Sequence, residues 1–244
     1  MSTVVMTERI REASPRPKAR IAGFIYLLNF LTGVIAVPGF RLVASGDAAA
    51  TAANILAHEP LFRLGFAALL INVAVYIAVT ALFYDLFKPV NRSLSLLAAF
   101  FSLVGCAVQA LASLFYLAPL VVLGGAQYLS VFKVEQLHAL ALMFFGLYAQ
   151  AYNVVLVFFG FYCLLIGYLI FRSTFLPRIL GVFMAFAGLA WLTFVSPPLA
   201  NYLIPYNLAV GALAELSLTL WLLVMSVKVE RWREPASAAA QLRS

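Results

Sequence analysis

Six long apolar runs constrain this chain more than any other feature of its sequence. A transmembrane helix needs about 20 consecutive, predominantly apolar residues, and each run reaches or approaches that length. The runs are Ile21 to Phe40, Leu61 to Phe87, Ser93 to Leu123, Ala139 to Phe171, Leu176 to Phe194 and Leu208 to Val229. They predict an all-α, polytopic integral membrane protein with a bundle of six transmembrane helices.

The composition supports this fold class and argues against a soluble one. Hydrophobic residues make up 65% of the 244 positions and charged residues only 10%, whereas a soluble domain carries roughly 25% charged residues. The net charge of +7 could suggest nucleic-acid binding, but the cations lie in short clusters beside the apolar runs. That placement indicates membrane topology and contact with anionic lipid headgroups. We therefore expect membrane lipids, and no nucleic acid, as partners.

The distribution of Lys and Arg predicts the orientation of the spans. Of the 16 such residues, only Arg41, Arg63 and Lys133 lie in the segments that alternate with the basic ones. Because basic loops stay cytoplasmic, both termini are predicted to be cytoplasmic. The predicted divisions are a basic N-terminal segment over residues 1–20, a transmembrane domain over 21–229 and a cytoplasmic tail over 230–244. The first span follows a basic segment and is longer than a signal-peptide core, so we expect an uncleaved anchor.

Two outer connections are long enough to hold structure of their own, and both are predicted to be helical. In the first, Asp47 precedes an alanine-rich segment as an N-cap would, and Pro60 would break the helix before the second span. The second connection extends from Gly124 to about His138. The simplest interpretation of the first connection is a connector helix at the membrane interface.

Small and polar residues recur on single faces of the spans. In the fourth span Gly146, Asn153, Gly160 and Gly167 follow one another at intervals of seven. Spacings of three, four or seven join comparable sets in other spans: Tyr26, Asn29 and Gly33; Gly65, Asn72, Tyr76 and Thr80; Ser102, Gly105, Gln109 and Ser113; Gly211, Glu215 and Thr219. Such stripes are typical of close helix packing, and they also suit a ligand site. The sequence leaves both interpretations open.

Glu215 is the costliest of these residues, because a carboxylate within the membrane needs a partner or must be neutral. At the rise of an α-helix, Asn72, Gln109, Asn153 and Glu215 all lie about 20 to 28 Å from the cytoplasmic ends of their spans. They are predicted to form one polar layer, in which a protonated Glu215 could bond to Gln109 or Asn153. Arg63 is the nearest candidate cation, although it could instead extend to the lipid headgroups.

Most familiar membrane chemistries lack the residues they need. Within the spans there is no lysine for a retinal, no nucleophile with its base, no glycine-rich phosphate loop and no haem-type histidine pair. Glu135 and His138 make a single Glu-x-x-His turn, whereas a dimetal site needs two such turns and further carboxylates. No cofactor, metal or catalytic residue is therefore predicted, and an enzyme is the least favoured class.

Several short motifs, in order along the chain, resemble those of the bacterial membrane proteins grouped as domain of unknown function 4386. They are Ala19 to Gly23, Gly46 to Ile55, Leu61 to Phe66, Lys88 to Arg92 and Phe175 to Gly181, and the resemblance covers about residues 19 to 229. It implies a six-helix protein of the bacterial inner membrane and supplies no activity. Members often carry a histidine near Tyr148, and the positions of Arg63 and Glu215 also fit the family pattern.

Three functional hypotheses follow. The first is a protein that binds or senses a small amphipathic or lipid-like ligand in an intramembrane pocket of the outer half. Its polar contacts would be Glu215, Gln109, Asn72 and Asn153, and its walls Tyr76, Tyr148 and Tyr152. The second is a proton-coupled transporter with Glu215 as its titrating group. The third is a structural or assembly subunit. The oligomeric state and the identity of the ligand are not predicted.

Overall fold

The structure is a computed structural model and describes residues 15–227. Within that range it contains eight α-helices and no strand. We number them α1 (Pro15–Phe40), α2 (Ala48–Ala57), α3 (Glu59–Phe87), α4 (Arg92–Leu123), α5 (Val134–Arg172), α6 (Arg178–Leu192), α7 (Pro197–Leu203) and α8 (Tyr206–Val224). Two single 3₁₀ turns, Gln127–Leu129 and Thr193–Val195, lie between them.

Six of these helices are long and apolar enough to cross a membrane: α1, α3, α4, α5, α6 with the 3₁₀ turn that follows it, and α8. A helix satisfies its backbone hydrogen bonds internally, which is why apolar runs of this length adopt it in a bilayer. The all-helical fold class with six spans is thereby confirmed. The third and fourth spans are the longest, with 32 and 39 residues, as their sequence runs predicted. The orientation of the termini stays a prediction, and the ends of the chain lie outside the described residues.

The connections agree with the sequence in part. Asp47 caps α2 as predicted, since its carboxylate accepts a hydrogen bond from the Ala50 backbone N–H at 2.8 Å. Pro60 does not end that helix, because α2 already ends at Ala57. Pro60 lies in the first turn of α3, where a backbone N–H would have no acceptor within the helix, so proline is tolerated there. The second connection is helical only at its 3₁₀ turn and from Val134 onward. The short helix α7 was not predicted.

The chain divides into two compact units, and the longer helices contribute to both. The first unit comprises Ala78–Leu103 and the described parts of Met1–Leu27 and Val157–Ser244; the second comprises Leu28–Ile77 and Val104–Leu156. Helices α6, α7 and α8 belong to the first unit and α2 to the second.

Glycines hold α5 and α6 together in the first unit. A Cβ atom at Gly167 would lie 2.7 Å from the Gly181 carbonyl oxygen, and one at Gly188 would lie 2.8 Å from the Gly160 carbonyl oxygen. The two pairs lie seven residues apart on each helix, which is two helical turns, so the backbones touch along one seam. Half of the fourth-span stripe is therefore packing surface.

Ion pairs of the first unit lie at helix ends. Lys88 pairs with Asp85 at 2.5 Å, and Lys18 approaches the same carboxylate at 3.8 Å. These side chains are 38 to 50% exposed, so the pairs contribute little to stability.

Candidate functional site

The second unit contains an open cleft of about 660 Å³. All the residues that line it belong to that unit. Four of them carry side-chain amides, five are aromatic, and the remainder are small or aliphatic. The amides are Asn29, Asn72, Gln109 and Asn153, and the aromatic residues are Phe30, Phe40, Phe145, Tyr148 and Tyr152.

Helical periodicity brings these side chains to the same cleft. On α5, Phe145, Tyr148, Tyr152 and Asn153 follow one another at steps of three, four and one, so they share one broad face. On α1, Asn29 and Gly33 are one turn apart. Asn72 comes from α3 and Gln109 from α4. Four helices therefore contribute one amide each.

The aromatic wall is continuous. Tyr148 stacks on Tyr152 with 6.0 Å between ring centroids, and it lies 5.5 Å from Phe40 and 5.7 Å from Tyr116. Aromatic pairs at such distances add stability beyond the area they bury. Tyr148 is 5% exposed and Tyr152 is 38% exposed, so the wall extends from the interior of the unit to its surface.

Behind this wall, Tyr116 is fully buried and stacks on Phe62 at 4.4 Å. Its hydroxyl lies between Gly39 of α1 and Gly65 of α3, where a Cβ atom at either glycine would collide with it. That hydroxyl has no hydrogen-bond partner among the described residues. The two glycines thus make room for a polar atom that forms no bond of its own.

We expect Tyr116→Phe to leave stability unchanged or to raise it by about 1 kcal/mol, because it removes a buried hydroxyl that forms no bond. Gly65→Ala should destabilise the protein, and should do so less when combined with Tyr116→Phe, since the colliding atom is then gone. Thermal unfolding of the two single variants and the double variant in detergent measures this. Additive effects of the two substitutions would contradict the packing described here.

The side-chain amides that line the cleft differ in the hydrogen bonds they make. The Asn72 amide nitrogen donates to the Asn29 backbone carbonyl at 2.8 Å and to the Thr32 hydroxyl at 3.0 Å. Gln109 lies within hydrogen-bonding reach of the Tyr148 hydroxyl. Within residues 15–227, the Asn153 amide nitrogen donates one long bond of 3.5 Å, to the Gln150 side-chain oxygen. The Asn29 side-chain oxygen is buried and has no partner among the described residues.

Glu215 lies in the first unit and is 7% exposed. Its two carboxylate oxygens accept hydrogen bonds from the Tyr26 hydroxyl at 2.7 Å and from the Trp191 indole N–H at 2.8 Å. The Trp191 ring lies directly over Gly211, where a Cβ atom would collide with it. Because Gly211 is one turn before Glu215 on α8, its lack of a side chain lets the indole reach the carboxylate. The sequence predicted neither partner.

The seven residues predicted for a ligand site divide between the units. Asn72, Gln109, Asn153, Tyr148 and Tyr152 line the same cleft. Tyr76 is buried in the second unit and is not among the lining residues, and Glu215 belongs to the first unit. Arg63, the candidate cation for Glu215, pairs instead with Glu59 on its own helix at 2.7 Å.

Asn29, Gly33 and Phe40 line the cleft but were not predicted as site residues. A signal for two of them existed, because Asn29 and Gly33 form part of the spaced set in the first span. Phe40 ends its span with no distinguishing pattern, and only the structure shows its contact with Tyr148.

The model of a family described as Domain of unknown function (DUF4386) matches residues 21–226. That range contains every residue that lines the cleft, and also Glu215 with its two hydrogen-bond donors Tyr26 and Trp191. No curated protein and no solved structure shows significant similarity to the chain.

Proposed function

The chain belongs to the DUF4386 family, and we propose that it binds a small amphipathic or lipid-like molecule in the cleft of the second unit. A bacterial inner membrane is the location we propose for it. The main support for this proposal is that four amides and five aromatic rings from α1, α3, α4 and α5 line one cleft.

The chemistry of the lining supports an amphipathic ligand. Small-molecule sites are concave and mostly apolar, with a few polar groups that fix orientation, and they span about 300 to 1,000 Å³. The cleft, at about 660 Å³, falls within that range. Its rings would contact a hydrocarbon chain, and its amides would bind the polar end.

Exposed apolar residues of the cleft lining support access of the ligand from the lipid. Val34 and Val37 line the cleft and are 66% and 42% exposed. Both lie on α1 within a span long and apolar enough to cross the membrane. An apolar rim at that place would admit a hydrocarbon chain, whereas a free ion or sugar would lose its hydration there.

The environment of Glu215 supports a structural role for that residue over the transport alternative. Each of its oxygens already accepts a hydrogen bond from a residue of the same unit. These two bonds account for a buried carboxylate without a transported proton.

The test uses two glycines as matched positions. Gly33 lines the cleft, and a Cβ atom there would lie 3.9 Å from its nearest neighbour, the Asn72 amide nitrogen, so Gly33→Leu places a side chain in the cleft without a clash at Cβ. Gly146 is not a lining residue, and a Cβ atom there would meet nothing within 4 Å among the described residues. Gly146→Leu is therefore the control.

We expect a single-chain monoacylglycerol with a photoactivatable diazirine in its chain to label the purified protein in nanodiscs, at peptides from α1 and α5. Gly33→Leu should reduce that labelling about tenfold or more, which corresponds to about 1.4 kcal/mol of lost binding. Gly146→Leu should label like the wild type. Equal labelling of both variants, or labelling confined to other peptides, would contradict the proposal.

A further inference from the structure

We infer that the ligand of this cleft carries an uncharged polar group with at least one hydroxyl; this inference rests on the proposed function and specifies its ligand class. Two independent features of the cleft lead to it. One is the absence of charge in its lining, and the other is an excess of hydrogen-bond acceptors.

No charged side chain lines the cleft. The second unit is fully described, and its charged residues lie in the connections or within the first two turns of a helix: Arg41, Asp47, Glu59, Arg63, Lys133 and Glu135. A phosphate, carboxylate or ammonium drawn into the cleft would lose hydration without gaining a counter-charge. The lining therefore disfavours charged amphiphiles.

The amides present acceptors. Both hydrogens of the Asn72 amide nitrogen are engaged with α1, so its side-chain oxygen is the group that remains for a ligand. The Asn29 side-chain oxygen is buried and has no partner among the described residues. A ligand that suits the Asn72 oxygen must therefore donate a hydrogen bond. A buried acceptor left without a donor is costly, so a ligand hydroxyl that displaced the groups covering the Asn29 oxygen would satisfy a second acceptor.

A hydroxyl meets both requirements. It is neutral, it donates to an amide oxygen, and it also accepts from an amide nitrogen such as that of Asn153. Esters, ethers and quinone carbonyls are neutral but only accept. The cleft therefore suits a monoacylglycerol or a long-chain alcohol better than a fully capped or a phosphorylated molecule with the same chain.

The experiment compares three diazirine probes with identical acyl chains, applied to the full-length protein in nanodiscs. The first is a monoacylglycerol with two free hydroxyls, the second is its dimethyl ether, and the third is the corresponding lysophosphatidate. We expect the free diol to label at least about tenfold more efficiently than either of the others. The Gly33→Leu variant, in which the cleft is blocked, measures the background labelling that does not depend on the cleft.

A second variant tests the role of the acceptor. Asn29→Leu removes the side-chain oxygen and keeps the backbone carbonyl to which Asn72 is bonded. It should reduce the preference for the diol over the dimethyl ether several-fold. Continued labelling of the cleft by the ether would show that the cleft is intact in this variant.

The outcomes separate the two proposals. Equal labelling by the diol and its ether, with both sensitive to Gly33→Leu, would keep the binding function and overturn the hydroxyl inference. Stronger labelling by lysophosphatidate would also overturn it. Absence of Gly33-dependent labelling by all three probes would overturn the binding function and the inference with it.

Discussion

Gly167→Ala should lower the free energy of unfolding by about 1 to 3 kcal/mol, whereas Gly146→Ala on the same helix should leave it unchanged or raise it. Overpacking a close contact costs energy of that size. A Cβ atom at Gly167 would lie 2.7 Å from the Gly181 carbonyl oxygen and 2.9 Å from the Ala185 backbone nitrogen. Both are backbone atoms, which cannot rotate away, so α5 and α6 would have to separate.

The control substitution adds the same methyl group to the same helix. A Cβ atom at Gly146 would meet nothing within 4 Å among the described residues, and alanine is a better helix former than glycine by roughly 0.5 to 1 kcal/mol. Because that gain in helix propensity applies at both positions, the difference in stability between the two variants follows from packing. Unfolding of both variants in one detergent, followed by tryptophan fluorescence, measures the difference.

Gly160→Ala provides an intermediate case. Its Cβ atom would lie 2.8 Å from a Leu192 side-chain carbon, which can move, and 3.0 Å from the Gly188 carbonyl oxygen. We expect a loss smaller than that of Gly167→Ala. If all three alanine variants had the same stability, the glycine seam would not be a close backbone contact.

These glycines show which packing contacts could be predicted from the sequence and which could not. Their interval of seven predicted a common stripe on α5, and the structure confirms that two of them pack closely. The same interval could not separate Gly160 and Gly167, which pack closely on α6, from Gly146, where a Cβ atom would meet nothing within 4 Å among the described residues. Nor could it separate them from Asn153, which lines the cleft. Periodicity fixes the face of a helix, but which neighbour covers that face at each turn depends on the other helices.

The spans themselves were predictable, because the length of an apolar run and the need to satisfy backbone hydrogen bonds in lipid leave helices as the solution. Five of the seven predicted site residues line one cleft for a related reason. Amides within a membrane face the protein, and residues one or two turns apart face the same part of it.

The hydrogen-bond partners of Glu215 could not be predicted from the spacing of residues. Depth along a span suggested Gln109 or Asn153, from the third and fourth spans, yet Tyr26 and Trp191 donate the hydrogen bonds. Trp191 reaches the carboxylate only because Gly211 leaves space beneath its ring. Neither contact has a sequence signal, since both depend on how α1, α6 and α8 pack within the first unit.

Glu215→Leu should therefore be destabilising, by about 2 to 6 kcal/mol, since it removes the acceptor of the buried Tyr26 hydroxyl and of the partly buried Trp191 N–H, at about 1 to 3 kcal/mol each. Glu215→Gln should cost much less. Its amide oxygen can accept from the Trp191 N–H, and its amide nitrogen can donate to the Tyr26 hydroxyl, which accepts as well as donates. Unfolding by detergent or heat of the two variants gives the comparison.

A double-mutant cycle separates these hydrogen bonds from the packing of α8. Trp191→Phe removes the N–H donor and keeps an aromatic ring over Gly211, so in the Glu215→Leu background it should cost less than in the wild type by about 0.5 to 3 kcal/mol. Purely additive losses would show that the indole and the carboxylate do not stabilise each other. A Glu215→Gln variant as unstable as Glu215→Leu would likewise contradict a role limited to accepting hydrogen bonds, and would direct attention back to the charge of the carboxylate itself.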